Sequence, residues 1–380
     1  MSREHFDFIE LTYEFPMHYP PPRREDYYLF PVLIAKQMGM NPAIFTIRTP
    51  LTPRKREEIN GIDVFRFNSI FSLMQQLIRM SPELVHGHSF GWIPATLAPL
   101  LARRYVFTPH VYRLDIYPKW KVELALFPLK KSDAIITRTK FEAHQLAHAI
   151  STSKIHVIPL PIDWNYFSQL REEWKWEIFG KYGLDTKNRL ILCVTNLRPI
   201  KNLETLIRSF VIVKKEIPSS KLIIVGGELL LTTSMLGPAK PKWNYRLKLE
   251  KLIDSLGVKD VIFTGYQNEN ELRKFYAASE VFCMPSKVEG QCLSAGEAAS
   301  AGLPLVLSNL ETLVEIYQGC ALFHEPSDHL SLAKNILNIL ENPKLAKKLG
   351  RIGKRKMQNY RPDIIYKKLR ELYENLLRIS

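Results

Sequence analysis

Two glutamates, Glu289 and Glu297, flank the turn in "EGQCLSAGE" with seven residues between them. Carboxylates are rarely buried without a partner, so the pair calls for a polar ligand or a cation. The run "EVFCMP" reads as a strand ending at Pro285, and the small residues of "SAGEAASAG" predict a helix starting near Leu293 or Ser294. Glu289 then falls in the strand-to-helix loop and Glu297 in the first helical turn. Between them the backbone amides of Gly290, Gln291, Cys292, Leu293 and Ser294 approach a helix N-terminus, where unpaired N–H groups and the helix dipole favour an anion. Ionised carboxylates only accept hydrogen bonds, so the two would take hydroxyls on either side of that anion. A diphosphate flanked by two sugars, a nucleotide sugar, has this pattern of charge and hydroxyls. The same spacing also suits a plain helix start, with an N-cap and a glutamate favoured by the dipole.

These residues need elements to hold them. Short β-rich runs alternate with helical segments along the chain, which predicts an α/β architecture with mostly parallel sheets. The first series is "FDFIELTY", "AIFTIR", "IDVFRF", "ELVHGH", "YVFTPH", "DAIITR" and "IHVIP"; the second is "RLILCVTN", "KLIIVGG", "DVIFTG", "EVFCMP", "PLVLSN" and "CALFHE". The polar, aromatic stretch from Asp163 to Leu170 lacks the alternation and reads as a linker. We expect an N-terminal Rossmann-like domain over 1–166, a second over 167–360, and a C-terminal helix over 361–380 returning to the first. Two doubly wound domains would face a central cleft with the carboxyl ends of their strands, the usual ligand position in such sheets.

Composition narrows the classes. A chain of 380 residues exceeds what one core usually serves, and a 46% hydrophobic share suffices for two. No apolar run reaches the length of about 18 residues that suggests a membrane span. The start "MSREHFDFIE" carries charges where a signal peptide has an apolar stretch, so a cytoplasmic protein is expected. The four cysteines (Cys193, Cys283, Cys292, Cys320) show no Cys-x-x-Cys spacing, which predicts reduced thiols and no zinc site. A formal charge of +15 invites an anionic partner, but no RNA-binding signature, helix-turn-helix or zinc-finger spacing accompanies it, so nucleic acid is not expected.

The run "VIFTGYQNENELRKFYAASEVFCMPSKVEGQCLSAGEAASAGLPLVLSNL" resembles the donor-binding half of retaining glycosyltransferases of family four, whose Glu-x7-Glu motif falls on Glu289 and Glu297. "LRPIKNLETLIRSFVIVKKEIPSSKLIIVGG" resembles the opening of that domain. "SPELVHGHSF", "YVFTPHV", "SDAIITRTKFEAHQL" and "IHVIPLPID" fall in the family's order in the first. The resemblance implies the GT-B fold of two facing Rossmann-like domains and transfer of a sugar from a nucleotide-diphosphate sugar to a hydroxyl acceptor. It implies that Glu297 binds the nucleoside ribose, that Glu289 holds donor-sugar hydroxyls, and that Lys201 pairs with the diphosphate. Such a cation matters because the departing nucleotide gains charge in the transition state. The family arginine lies about five positions before this lysine, where Asn196 stands, and Arg198 is the nearest substitute. His110 matches a first-domain histidine that faces the donor sugar. The chemistry implied is metal-independent, with no bound cofactor, and the leaving phosphate serves as base.

Three stretches depart from the family pattern. "FPMHYPPPRREDYY" replaces a glycine pair, and its Arg23 and Arg24 add charge where prolines remove amide donors. Gln291-Cys292 stands where an aromatic residue and a second glycine are common, and "PLPID" replaces an asparagine-glycine turn. The altered loop near Pro20–Arg24 favours the alternative reading, a catalytically silent GT-B scaffold or sugar-binding protein. The pair His144 and His148 in "HQLAH" lacks the glutamate of a metalloprotease motif, and there is no Asp-x-Asp pair. His86 and His88, flanking Gly87 at a strand end, are expected to line the cleft. Finally, "YPKWKVELALFPLKK" (Tyr117 to Lys131) combines four lysines with Trp120, Leu124, Leu126, Phe127 and Leu129 in the domain that takes the acceptor in GT-B enzymes. An amphipathic segment of this kind suits an anionic membrane surface and a lipid or lipid-linked acceptor reached from the cytoplasmic face. An ordinary helix with a buried apolar face is the other reading.

Overall fold

The runs Phe8–Leu11, Pro42–Ile47 and Leu84–His88 form strands buried over their whole length, as expected where helices cover both faces of a parallel sheet. The structure, a computed structural model, describes the chain except residues 1–4, 13–28, 49–53, 89–91, 111–118, 229–231, 235–236, 240–243 and 379–380, and the side chains of 119–121, 124–125 and 232–239. The chain forms two compact units: Met1–Leu160 with Leu230–Lys240 and Asp363–Ser380, and Pro161–Leu229 with Pro241–Pro362.

The first unit holds β1 (Phe8–Leu11), β2 (Pro42–Ile47), β3 (Arg56–Ile59), β4 (Ile62–Phe67), β5 (Leu84–His88), β6 (Arg104–Thr108), β7 (Ala134–Thr137) and β8 (Ile155–Val157). Their order is β3-β4-β2-β1-β5-β6-β7-β8, parallel except for the β3–β4 pair. Alternate side chains point to opposite faces. Phe8, Ile44, Val64, Leu84 and Val106 enter one core with residues of the helices Leu29–Gln37 and Pro362–Arg378, whereas Ile9, Phe45, Val85, Tyr105 and Phe107 enter the other with Leu73 and Leu77 of the helix Ile70–Met80. The helix Pro362–Arg378 is anchored by Tyr373, whose ring centroid lies 5.5 Å from that of Phe8. Gly87 has a steric reason: a Cβ there would stand 2.0 Å from the hydroxyl of Tyr105.

The second unit holds β9 (Arg189–Val194), β10 (Ser220–Val225), β13 (Val261–Gly265), β14 (Val281–Met284), β15 (Leu305–Ser308) and β16 (Ala321–His324), while β11 (Thr232–Ser234) and β12 (Gly237–Ala239) pair as a separate antiparallel ribbon in the segment that belongs to the first unit. The parallel sheet runs β13-β10-β9-β14-β15-β16, so β9 and β14 are neighbours at its centre. The loops leaving their carboxyl ends therefore converge, which is where open α/β sheets take their ligands.

The boundary expected at 166 falls inside the helix Trp164–Ser168. The stretch read as a linker is packed: Phe167 is buried in the second unit's core, and the Trp164 indole donates to the Lys354 carbonyl at 2.7 Å. In the helix Lys119–Lys131, Leu129 is buried and Leu126 packs against the core, while Lys130 and Lys131 are exposed. Tyr117 and the side chains of Trp120 and Leu124 lie outside the described residues, as does the Pro20–Arg24 loop. Among the described residues no helix is long and apolar enough to cross a membrane.

Candidate active site

The candidate residues fall in two sets, one in each unit. In the second unit, β9 leads to a 3-10 turn, Pro199–Lys201, and then to the helix Leu203–Glu216. Asn202 joins them in the left-handed conformation (φ 56°), and its side-chain amide donates to the carbonyls of Pro285 at 3.1 Å and Pro326 at 2.6 Å. The Lys287 amide donates to the Ile200 carbonyl at 2.9 Å. These bonds tie the loop after β9 to the loop after β14, and Lys201 meets Glu289: Nζ donates to Oε1 at 2.5 Å.

Ser286, fully buried, donates from Oγ to the same Glu289 oxygen at 2.9 Å, and Thr312 holds the Glu289 carbonyl at 2.6 Å. The side chains of Lys201 and Glu289 are only 19% and 10% exposed. Burial by itself would depress the Lys201 ammonium, but the charge and hydrogen bond of Glu289 outweigh it and hold the pKa above the ordinary lysine value, against the opposing charge of Arg198. A fixed cation and a fixed carboxylate thus stand together with little water between them, where electrostatic interactions are stronger than in solution.

The following helix is Leu293–Ser300. Its N-cap, Cys292, adopts φ 55° and ψ 76°, a left-handed conformation that a side chain makes costly by roughly 1–2 kcal/mol. A glycine, which the resemblance leads one to expect here, would adopt that backbone without the cost. The turn is pinned from below by Tyr317, whose hydroxyl donates to the carbonyls of Gln291 at 3.1 Å and Cys292 at 2.9 Å. Burial, with a smaller contribution from Glu289, pushes the Cys292 thiol up to about 12, so it stays protonated and is no nucleophile at neutral pH. Gly296 packs against the chain entering the unit: a Cβ there would lie 2.1 Å from Ile162 Cδ1.

Glu297 is the fifth residue of this helix, which corrects the expectation that it sits in the first turn, since a turn takes 3.6 residues. The expected dipole benefit is correspondingly small. Glu297 is 6% exposed, and the hydroxyl of Tyr276, on the helix Glu269–Ala278, donates to its Oε2 at 2.7 Å. Tyr276, Ser286 and Tyr317 were missed in the sequence because no motif or spacing marks their hydroxyls. Asn202 could have been noticed as a cap-type residue immediately before a helical run.

In the first unit His110 follows β6 at φ 57° and is partly exposed. His86 and His88 are 2% and 1% exposed, so neither presents its ring to solvent as a cleft-lining residue would. The pleat explains this: β5 sets both on the face covered by the C-terminal helix. His86 Nδ1 lies 2.7 Å from the Tyr373 hydroxyl and Nε2 2.8 Å from Thr108 Oγ1. His88 Nε2 lies 2.5 Å from Glu10 Oε1 and Nδ1 2.8 Å from His110 Nε2. Burial, then the neighbouring positive charges, holds all three imidazoles below the ordinary histidine value, His86 at about 3. Ligand atoms of Glu10, His86 and His88 fall within 4.8 Å of one another, close enough to surround an ion. Every imidazole nitrogen of the two histidines is already engaged in a hydrogen bond, so an ion would have to displace that network.

Sheets with this topology over the full chain define the class. The structure superposes on Anabaena HepE, solved in complex with UDP-glucose, with a TM-score of 0.81 over 98% of this chain and 100% of that one at 15% identity, which establishes the GT-B fold. Residues 175–356 match the model "Glycosyl transferases group 1" and residues 22–166 match "Glycosyltransferase Family 4". Between them the two matches cover most of the chain and mark it as a glycosyltransferase of the family-four type. Among curated relatives, mannosylfructose-phosphate synthase of Agrobacterium fabrum is 25% identical over 73% of this chain, which spans 60% of that protein's length. The alpha-monoglucosyldiacylglycerol synthase of Acholeplasma laidlawii is 22% identical over 93% of this chain and 89% of its own.

Proposed function

We propose that the chain is a retaining, metal-independent glycosyltransferase that moves a sugar from a nucleotide-diphosphate sugar to a hydroxyl acceptor. The observation that carries the proposal is the Lys201–Glu289 pair, at the joined ends of two central strands beside a helix N-terminus. Lys201 and Arg198 would meet the diphosphate, with the amides of Gly290, Gln291, Cys292 and Leu293 completing the anion site. Glu289 would take donor-sugar hydroxyls, Glu297 the ribose, and His110, by the family resemblance, the donor sugar. In the step itself the bond from the sugar's C1 to the diphosphate oxygen breaks, C1 bonds to the acceptor oxygen on the same face, and the acceptor proton passes to the leaving diphosphate. Lys201 would stabilise the charge that grows on the diphosphate, a larger gain in the transition state than in the ground state.

The family supports this reading, as does a structural neighbour described as holding UDP-glucose. Incubation with UDP-glucose and with GDP-mannose should release the nucleoside diphosphate from one of them, at the same rate in excess EDTA. A rate lost to EDTA and restored by magnesium or manganese contradicts metal independence, and no release from any nucleotide sugar contradicts the enzyme and favours the silent scaffold.

We further propose a lipid or lipid-linked acceptor at an anionic membrane surface, an idea favoured by the basic segment Lys119–Lys131 and by the diacylglycerol product in the name of one relative. Each lysine near such a surface contributes about 1 kcal/mol. Wild type should therefore sediment with anionic but not neutral liposomes, and less at high salt. A variant with Lys119, Lys121, Lys130 and Lys131 changed to Gln should stay in the supernatant. Equal recovery of both proteins in the supernatant with anionic liposomes contradicts the membrane reading.

A further inference from the structure

The face of the first sheet that carries His110 also carries a carboxylate with no role in the donor chemistry. Glu10 is completely buried in the middle of β1. Strand register sets Glu10 beside His86 and His88 beside Thr108, and the two-residue pleat turns Glu10, His86, His88 and Thr108 to one side. The result is a row of hydrogen bonds that begins at a buried carboxylate and ends at a partly exposed imidazole: Glu10 Oε1 to His88 Nε2 at 2.5 Å, then His88 Nδ1 to His110 Nε2 at 2.8 Å. The rings of His88 and His110 are stacked, with centroids 5.1 Å apart. His110 is held at φ 57°, a conformation uncommon for a residue with a side chain and one that surrounding structure must impose.

The direction of the row follows from what each group can do. An ionised Glu10 only accepts, so His88 would donate from Nε2 and, as a neutral ring, accept at Nδ1. His110 therefore donates from Nε2, and its Nδ1 becomes the basic nitrogen. We propose that Glu10 and His88 are positioning residues that lock His110 in the Nε2–H tautomer, so that it meets the donor sugar as a hydrogen-bond acceptor for a sugar hydroxyl. This rests on the reading of His110 as a donor-sugar residue. The relay itself is a property of the first unit and can be measured without a substrate. The groups around it are Glu10 on β1, His86 on β5, Thr108 on β6, Arg138 after β7 and Tyr373 on the C-terminal helix, with Tyr105 packed on the opposite side of β5. Burial, and the positive charge of Arg138, keep the imidazoles neutral, the state in which the tautomer has meaning.

The test is long-range proton–nitrogen correlation on full-length protein labelled at histidine nitrogen. His110 should show the neutral Nε2–H pattern, unchanged from about pH 5.5 to about pH 8. His88→Phe should convert it to a tautomer mixture that titrates within that range. Glu10→Gln should keep the wild-type pattern, because the amide oxygen still accepts from His88. On whichever of UDP-glucose or GDP-mannose the wild type uses, His88→Phe should lower kcat roughly tenfold or more with little change in affinity for the matching nucleoside diphosphate. An Nδ1–H pattern at His110 in the wild type overturns the proposal, and so does a pattern unaffected by His88→Phe. If the pattern is as expected but no nucleotide sugar binds, the relay stands and the donor reading falls. If sugar is transferred while wild-type His110 titrates like a free histidine, the relay falls alone.

Discussion

Replacing Lys201 by alanine should lower the rate of sugar transfer more than about a hundredfold, the scale on which loss of one preorganised electrostatic group acts on a transition state, roughly 2.7–4 kcal/mol. The lysine is held in place before any ligand arrives: its turn is fastened by Asn202 to the loop after β14, and its ammonium by Glu289. Little reorganisation is then needed as charge develops on the diphosphate. The same substitution strands Glu289 in a site where it is 10% exposed. Breaking a buried pair from one side can cost about 3–5 kcal/mol of stability, and the partial exposure here makes the loss smaller. The double variant Lys201→Met with Glu289→Gln separates the effects: it should recover stability and stay inactive. Turnover near normal in folded Lys201→Ala, followed by release of nucleoside diphosphate, contradicts the role given to the lysine.

The second large effect is expected at Glu297. Its carboxylate is buried and oriented by Tyr276, so one ribose hydroxyl bonded to it stands to contribute about 1.5–3 kcal/mol, the scale of hydrogen bonds to a charged group. Glu297→Ala should weaken binding of the nucleoside diphosphate by about tenfold to about 150-fold in a calorimetric titration. Tyr276→Phe should weaken it less, because it removes the restraint on the carboxylate and keeps the acceptor. Unchanged affinity in Glu297→Ala contradicts the ribose role.

Much of the fold was legible because parallel strands buried on both faces read as continuous apolar runs. Each run expected as a strand, from "FDFIELTY" to "CALFHE", contains one. Strand β3, "REEI", escaped because an edge strand with alternating exposure carries charged residues, and the ribbon β11–β12 because two three-residue strands, "TTS" and "GPA", are too short to show a period. The helix start at Leu293 was legible from small residues after a strand. The left-handed backbone of Cys292 was not, since nothing in a cysteine announces positive φ. Side-chain partners were the least legible part. Lys201 and Glu289 stand 88 residues apart in sequence and Glu10 and His88 stand 78 apart, and only strand order and register bring such pairs together. A histidine in "HGH" looks the same whether it faces solvent or a buried carboxylate.

The proposed function requires the second unit to hold a nucleoside diphosphate on Lys201, Glu289 and Glu297. Thermal unfolding of the wild-type protein in the presence of UDP, GDP and ADP, and of UDP-glucose and GDP-mannose, tests it most directly, because a ligand that binds only the folded state adds about 2.7 kcal/mol of stability at a hundred times its Kd. One nucleoside diphosphate and its sugar should raise the Tm, and Glu297→Ala should remove most of the rise. No rise with any nucleoside diphosphate, or an equal rise in Glu297→Ala, would contradict it.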